Sequence, residues 1–166
     1  MLYNVSIRNE VITMEKEFLN DYDERVIALA QHLEINLEPN FNAEDYPSED
    51  YTEEEIEQAK QDAIEEVTNE LDTIVEDSDN VYSYYGEEYE VLTDDEADDR
   101  WEEELDNYIE ECIMPELPEH LQNSFDEDAW KRDARYDGRG HSISRYDGEE
   151  YEETVNGTTY YIYRQN

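Results

Sequence analysis

Apolar residues recur along this chain with two different periods, and each change of period marks an element. Tyr3, Val5 and Ile7 alternate with polar neighbours, and Val11 and Ile12 follow, which predicts a half-buried strand over 2–12. Thr13 is placed to cap the helix that comes next. Phe18, Tyr22, Val26, Leu29, Ala30, Leu33 and Leu37 recur every three or four residues, so one apolar stripe runs down a helix that ends before Pro39. Residues 40–50 hold Pro47 and little periodicity, and read as a loop.

Thr52 with Glu55 makes a capping box, after which Ile56, Ala59, Ala63, Ile64, Val67, Leu71, Ile74 and Val75 keep helical spacing as far as Asp77. Over 81–92, Tyr82, Tyr84, Tyr89 and Val91 alternate around Gly86 and predict a short hairpin. Thr93 with Glu96 forms a second capping box. Trp101, Leu105, Tyr108, Ile109 and Cys112 then line a further helix that Pro115 terminates, and 117–134 read as one or two shorter helical turns.

The last third reads differently. Asp137-Gly138, Asp147-Gly148 and Asn156-Gly157 are dipeptides that supply the positive φ of tight turns, and the third separates 150–155 from 158–164. Three short strands are predicted. The expected fold is α+β, with a small antiparallel sheet formed by this C-terminal meander and joined by the N-terminal strand, packed with about three acidic amphipathic helices. The chain reads as a single domain, 1–166, in three parts. Residues 1–43 supply the first strand and helix, 44–130 a strongly acidic helical part, and 131–166 a near-neutral β meander.

Charge changes the picture. Of 166 residues, 50 are Asp or Glu and 11 Lys or Arg. Between 44 and 128 there are 35 acids and two bases, Lys60 and Arg100, a net of −33, whereas 131–166 carries seven acids and six bases, a net of −1. Solubility needs a net charge of only about 2 to 8, and further like charge opposes the compact state. The excess therefore points outward, to a partner with a positively charged groove, as nucleic-acid-binding proteins have. Low hydropathy with high charge also marks disordered chains, but fifteen Tyr, three Phe and two Trp at regular spacings favour folding. A single cysteine, Cys112, excludes an internal disulfide, no apolar run reaches the ~20 residues of a membrane span, and the first residues lack a signal-peptide pattern. A cytoplasmic protein is expected.

The acids fall on two helices. On the first, the candidate partner-binding positions are Glu53, Glu54, Glu57, Asp62, Glu65, Glu66 and Asp72. On the second they are Asp94, Asp95, Asp98, Asp99, Glu102, Glu103, Asp106 and Glu110. Spacings of three and four put neighbouring carboxylates about 5 to 6 Å apart, a separation comparable to that of duplex phosphates. Like charges at i,i+4 oppose the helix by a few tenths of a kcal/mol each. An ordinary solvated face interleaves Lys with Glu; here Lys60 stands alone among eleven acids of 52–77. Trp101 lies on the apolar stripe with Leu105 and reads as core.

Other chemistries fit less well. An EF-hand loop started at Asp133 has Asp137 fifth and Gly138 sixth but Arg135 third and Ser144 twelfth, and one started at Asp77 has Val81 and Tyr82 at the fifth and sixth positions. His32, His120 and His141 are scattered, and no phosphate loop, zinc spacing or nucleophile elbow occurs. His141, beside Gly138, Gly140 and Ser142, is the one histidine in a catalytic-looking loop. Arg132, Arg135, Arg139 and Arg145 are placed to pair with nearby acids and hold the acidic helices.

In size, acidity and the carboxylate-dense helices between Thr52 and Glu111, the chain resembles the small acidic DNA-mimic proteins that phages and mobile elements deploy against restriction and CRISPR systems. It is a resemblance of kind, since those proteins share no sequence signature. It implies a non-enzymatic inhibitor, without cofactor or metal, that occupies the DNA-binding groove of a host defence protein, binds neither nucleic acid nor membrane itself, and acts as monomer or homodimer. An acidic partner or chaperone of a basic protein, without DNA competition, is the alternative.

Overall fold

The computed structural model describes residues 17–166, which form two compact units meeting in the chain at Val75 and Glu76. The strand expected over 2–12 and the Thr13 cap lie outside the described residues.

In the first unit, the expected long helix is interrupted. A helical turn ends near Leu19, and a new helix, α1, runs Glu24–His32. Asp23 causes the break. Its carboxylate accepts the Arg25 N–H at 2.8 Å, so the chain restarts as a capped helix whose Ile27, Ala28, Leu29 and Ala30 are buried. The loop that follows is organised by aromatic contacts, Phe41 stacking on Tyr46 and Tyr46 meeting Tyr51 edge-on. Helix α2, Glu53–Leu71, buries Ala63, Val67 and Leu71, one residue per turn on a single stripe. It stops before the point its apolar spacing predicts. Asp72 caps it, and Val75–Ser78 form strand β1 instead of its last turn. The β-branched pair Ile74-Val75 fits a strand, and the turn at Asp79-Asn80, with Asn80 at φ 64°, folds the chain back into β2.

The second unit is built on a five-stranded antiparallel sheet in the order β1-β2-β3-β5-β4. Strands β2 (Val81–Tyr84) and β3 (Glu87–Thr93) are the expected hairpin, turning through Tyr85 and Gly86 at φ 47° and 88°. Strands β4 (Tyr151–Val155) and β5 (Thr158–Arg164) turn through Asn156 and Gly157 at 49° and 88°. Pairing Val91 with Ile162 and Leu92 with Tyr161 sets β5 beside β3, with β4 on its other side as the edge strand. One face presents Leu92, Tyr161 and Tyr163 to Ala97, Trp101 and Ile143; the opposite face buries Tyr82, Tyr89, Val91 and Ile162. Both outer strands are blunted by acids, Glu76 and Asp77 on β1 and Glu152 and Glu153 on β4, which discourages pairing with another chain.

Helix α3, Asp94–Tyr108, starts in the second capping box and continues as a π-helical turn, Ile109–Ile113, before Pro115 closes it. Three short helices follow: α4 (Glu119–Gln122), α5 (Glu127–Ala134) and α6 (Arg139–Ile143). The expected meander over 131–166 is therefore corrected to a helical segment followed by one hairpin. Gly138, at φ 84°, links two helical turns and makes no hairpin. Gly140 is required by proximity, since a Cβ there would lie 2.7 Å from the carbonyl oxygen of Gly148.

Candidate partner-binding surface

Two reciprocal hydrogen bonds start each acidic helix. The Glu55 N–H donates to Thr52 Oγ1 at 3.3 Å while the Thr52 N–H donates to Glu55 Oε2 at 2.8 Å, and Thr93 and Glu96 repeat the arrangement. With Ala63, Val67 and Leu71 turned inward, α2 leaves Glu53, Glu54, Glu57, Asp62, Glu65 and Glu66 exposed. Lys60 reaches Glu57 at 3.5 Å, and Gln58 donates to Asp62 at 2.7 Å. Asp72 differs from the rest, being the cap residue and accepting the Tyr22 hydroxyl at 2.9 Å. No base sits in the last turn of α2, so its carboxylates oppose the helix dipole beyond the first turn.

Helix α3 divides its acids into two rows. Asp94, Asp98, Glu102 and Asp106 recur every fourth residue and meet the bases that follow α4. Arg139 binds Asp94 at 2.8 Å and Asp98 at 3.0 Å, Lys131 binds Glu102 at 2.5 Å and also Asp106, and Arg135 holds Glu102 as well. These four carboxylates are engaged internally. The second row, Asp95, Asp99 and Glu103, is exposed, with Arg100 on Glu103 at 3.0 Å. Glu110 is exposed on the π turn. Of the eight candidates here, Asp95, Asp99, Glu103 and Glu110 thus lie outside the row bound by Lys131, Arg135 and Arg139, while Asp94 and Asp98 stay exposed although paired.

The expected clamp by arginines exists in part. Arg139 also holds Glu150 at 2.9 Å and lies over Tyr161; Arg145 approaches Glu104 at 3.8 Å; Arg132 pairs with its neighbour Asp133. Arg100, flanked by acids in sequence, forks to Glu90 at 3.1 Å and Glu104 at 2.5 Å. Burial pushes the Glu90 carboxyl above its ordinary value although Arg100 opposes this. Burial, and then the Glu150 carboxylate that accepts its hydroxyl at 2.5 Å, pushes Tyr163 upward too. Neither Glu90 nor Glu150 stood out in the sequence, because each gains its role from partners far along the chain.

Trp101 is partly buried and packs against the core, its Nε1–H donating to Ser142 Oγ at 3.1 Å. Cys112, expected on an apolar stripe, is exposed because the π turn rotates it outward. His141 lies on α6, not in a loop. Asp133 and Asp137 belong to helical turns, which do not wrap a cation as an EF-hand loop does. Among the described residues no group of three or more His, Cys, Asp or Glu side chains is arranged to hold a metal ion, and no helix is long and apolar enough to cross a membrane.

Neither a family model, nor a characterised protein, nor a solved structure matches the chain.

Proposed function

We propose that this protein is a DNA-mimic inhibitor, which acts by occupying the DNA-binding groove of a host defence protein of the restriction or CRISPR kind. Its carboxylates stand in for phosphates, and it acts by binding, without catalysis or cofactor, in the cytoplasm of a bacterial host. The observation that carries this reading is the exposed surface of α2, where Glu53, Glu54, Glu57, Asp62, Glu65 and Glu66 point to solvent with Lys60 as the lone base of the helix. Such an array is unfavourable for the isolated helix and favourable opposite a basic groove, where each neutralised charge releases counterions.

A second reading, an acidic partner of a basic protein that leaves its DNA site open, is favoured by the internal neutralisation of Asp94, Asp98, Glu102 and Asp106, which thins the array on α3. Elution separates the two. Immobilised protein is incubated with bacterial lysate and washed, and duplex DNA is added at constant ionic strength. Release of the captured protein by duplex, but not by polyglutamate of equal charge, supports the DNA mimic; retention in the presence of duplex supports the second reading.

A further inference from the structure

Between the end of α3, its π turn, α5 and α6 lies an open groove of about 590 Å³. Its walls include Tyr108 and Trp130, whose rings stack with centroids 5.5 Å apart and planes 7° from parallel. Tyr108 is 53 % exposed, so the stack is not closed inside the core. Four carboxylates line the same groove. Glu104 is held by Arg100 and Asp133 by Arg132, while among the described residues Glu111 and Asp137 have no Lys or Arg partner. No lysine or arginine lines the groove; His141 is its one basic side chain.

From this we infer that the groove receives an arginine side chain of the protein partner, stacked on the Tyr108–Trp130 face and paired with Glu111 and Asp137. The chain shows elsewhere what such surroundings hold. Its own Arg139 lies 4.3 Å from the centroid of the Tyr161 ring with Asp94, Asp98 and Glu150 around it. Arg164 lies 3.9 Å from that of Tyr146 and pairs with Glu87. A ring face with carboxylates at its rim fits a guanidinium, which is planar, weakly hydrated and able to bind two oxygens while stacked. The Tyr108 groove repeats that composition with solvent access. The same geometry disfavours a phosphate or nucleic-acid ligand, which the carboxylates repel. The inference rests on the partner being a basic protein. It adds a discrete anchor to the diffuse charge of α2.

The test uses the full chain, labelled with ¹⁵N at its indoles, and a blocked Gly-Arg-Gly-Arg-Gly peptide. The arginine peptide is expected to shift the Trp130 indole resonance saturably, while the citrulline peptide, of the same shape without charge, does not. Tyr108→Ala should weaken the arginine peptide about two- to fivefold, the worth of an exposed cation–π contact. The Glu111→Gln, Asp137→Asn double variant should weaken it further, and Tyr108→Phe, which keeps the ring, should leave it unchanged. If Tyr108→Ala unfolds, the double variant decides. Equal binding of the citrulline peptide, or shifts across the α2 acids with Trp130 unmoved, overturns the groove. Failure of DNA competition leaves this readout intact, so the two readings fail separately.

Discussion

The guanidinium of Arg139 stands over the ring of Tyr161, its Cζ 4.3 Å from the ring centroid, while its nitrogens bind Asp94, Asp98 and Glu150 at 2.8, 3.0 and 2.9 Å. One side chain thereby joins the start of α3, the start of α6 and the approach to β4. It also neutralises carboxylates that would otherwise repel one another. Arg139→Ala should destabilise the protein by about 2 kcal/mol, the range of a charge-assisted hydrogen bond, because Asp94 and Asp98 stay largely solvated and screen part of the loss. Arg139→Lys keeps the charge without the fork and should recover only part of it. Urea unfolding at fixed salt reads the effect; equal midpoints for wild type and Arg139→Ala would show that the clamp does not hold the helix.

Strand β5 lies between β3 and β4, and Ile162 and Tyr163 within it are fully buried. Removing 156–166 therefore takes out an interior strand and leaves β4 without its partner, along with aromatic and aliphatic burial worth roughly 1.5 to 3 kcal/mol per side chain against a total stability of about 5 to 15 kcal/mol. Loss of cooperative unfolding is the expected result, and Ile162→Ala alone should cost about 2 to 5 kcal/mol. Circular dichroism melting checks both. An unchanged melting temperature after truncation would make the strand a binding element, not part of the core.

How much of this was legible beforehand depended on whether the deciding interaction was local. Thr52 with Glu55, Thr93 with Glu96, and Asn156-Gly157 each settle their structure within four residues, and each is found as read. Ile74 and Val75 keep helical spacing, yet the helix has already ended and Val75 opens β1, because a positive φ at Asn80 and pairing with β2 outweigh a periodicity that a strand shares over so short a run. Gly138 and Gly148 resemble hairpin turns in sequence, but Gly140 between them packs its backbone against that of Gly148, a contact no local pattern announces. The fourfold spacing of Asp94, Asp98, Glu102 and Asp106 was visible, as was a clamping role for Arg135 and Arg139; which acids these and Lys131 would take was not, since the distance along the chain reaches 45 residues. Outward acids and clamped acids look alike until the partner helix is placed.

Stability should pass through a maximum on the acid side of neutrality. Burial keeps the folded Glu90 carboxyl above its ordinary 4.5 against the pull of Arg100, so folded protein takes up that proton more readily than unfolded, and falling pH stabilises. Protonating exposed acids that have no basic partner also relieves repulsion. Asp147 acts in the opposite sense. Burial raises it, but the Glu149 N–H and the Ser144 hydroxyl outweigh burial and hold it below 3.8, so its contribution is present above that value and lost as pH falls through the lower folded one. Melting temperature should rise from pH 7 to about 5 and drop below about 4. On the alkaline side, burial and the Glu87 carboxylate push Tyr89 up to about 12 from 10.0, so stability should fall as pH climbs between them. Thermal melts from pH 3 to 11 check this; a steady fall from pH 7 downward would contradict it.

Competition with DNA is the central claim, and a mobility shift with three components tests it most directly. A labelled duplex is bound by the captured target, and this protein is then added, either as wild type or with Glu54, Glu57, Glu65 and Glu66 all changed to Lys. These four sites are exposed on α2 and avoid Asp72, whose contact with Tyr22 is part of the fold. The account predicts that wild type returns the duplex to its free position without itself shifting naked duplex, that the fourfold variant fails to do so, and that Glu57→Ala alone behaves nearly as wild type, because affinity scales with the number of charges engaged. A slower band containing target, duplex and this protein together, or a shift of naked duplex by wild type, would contradict it.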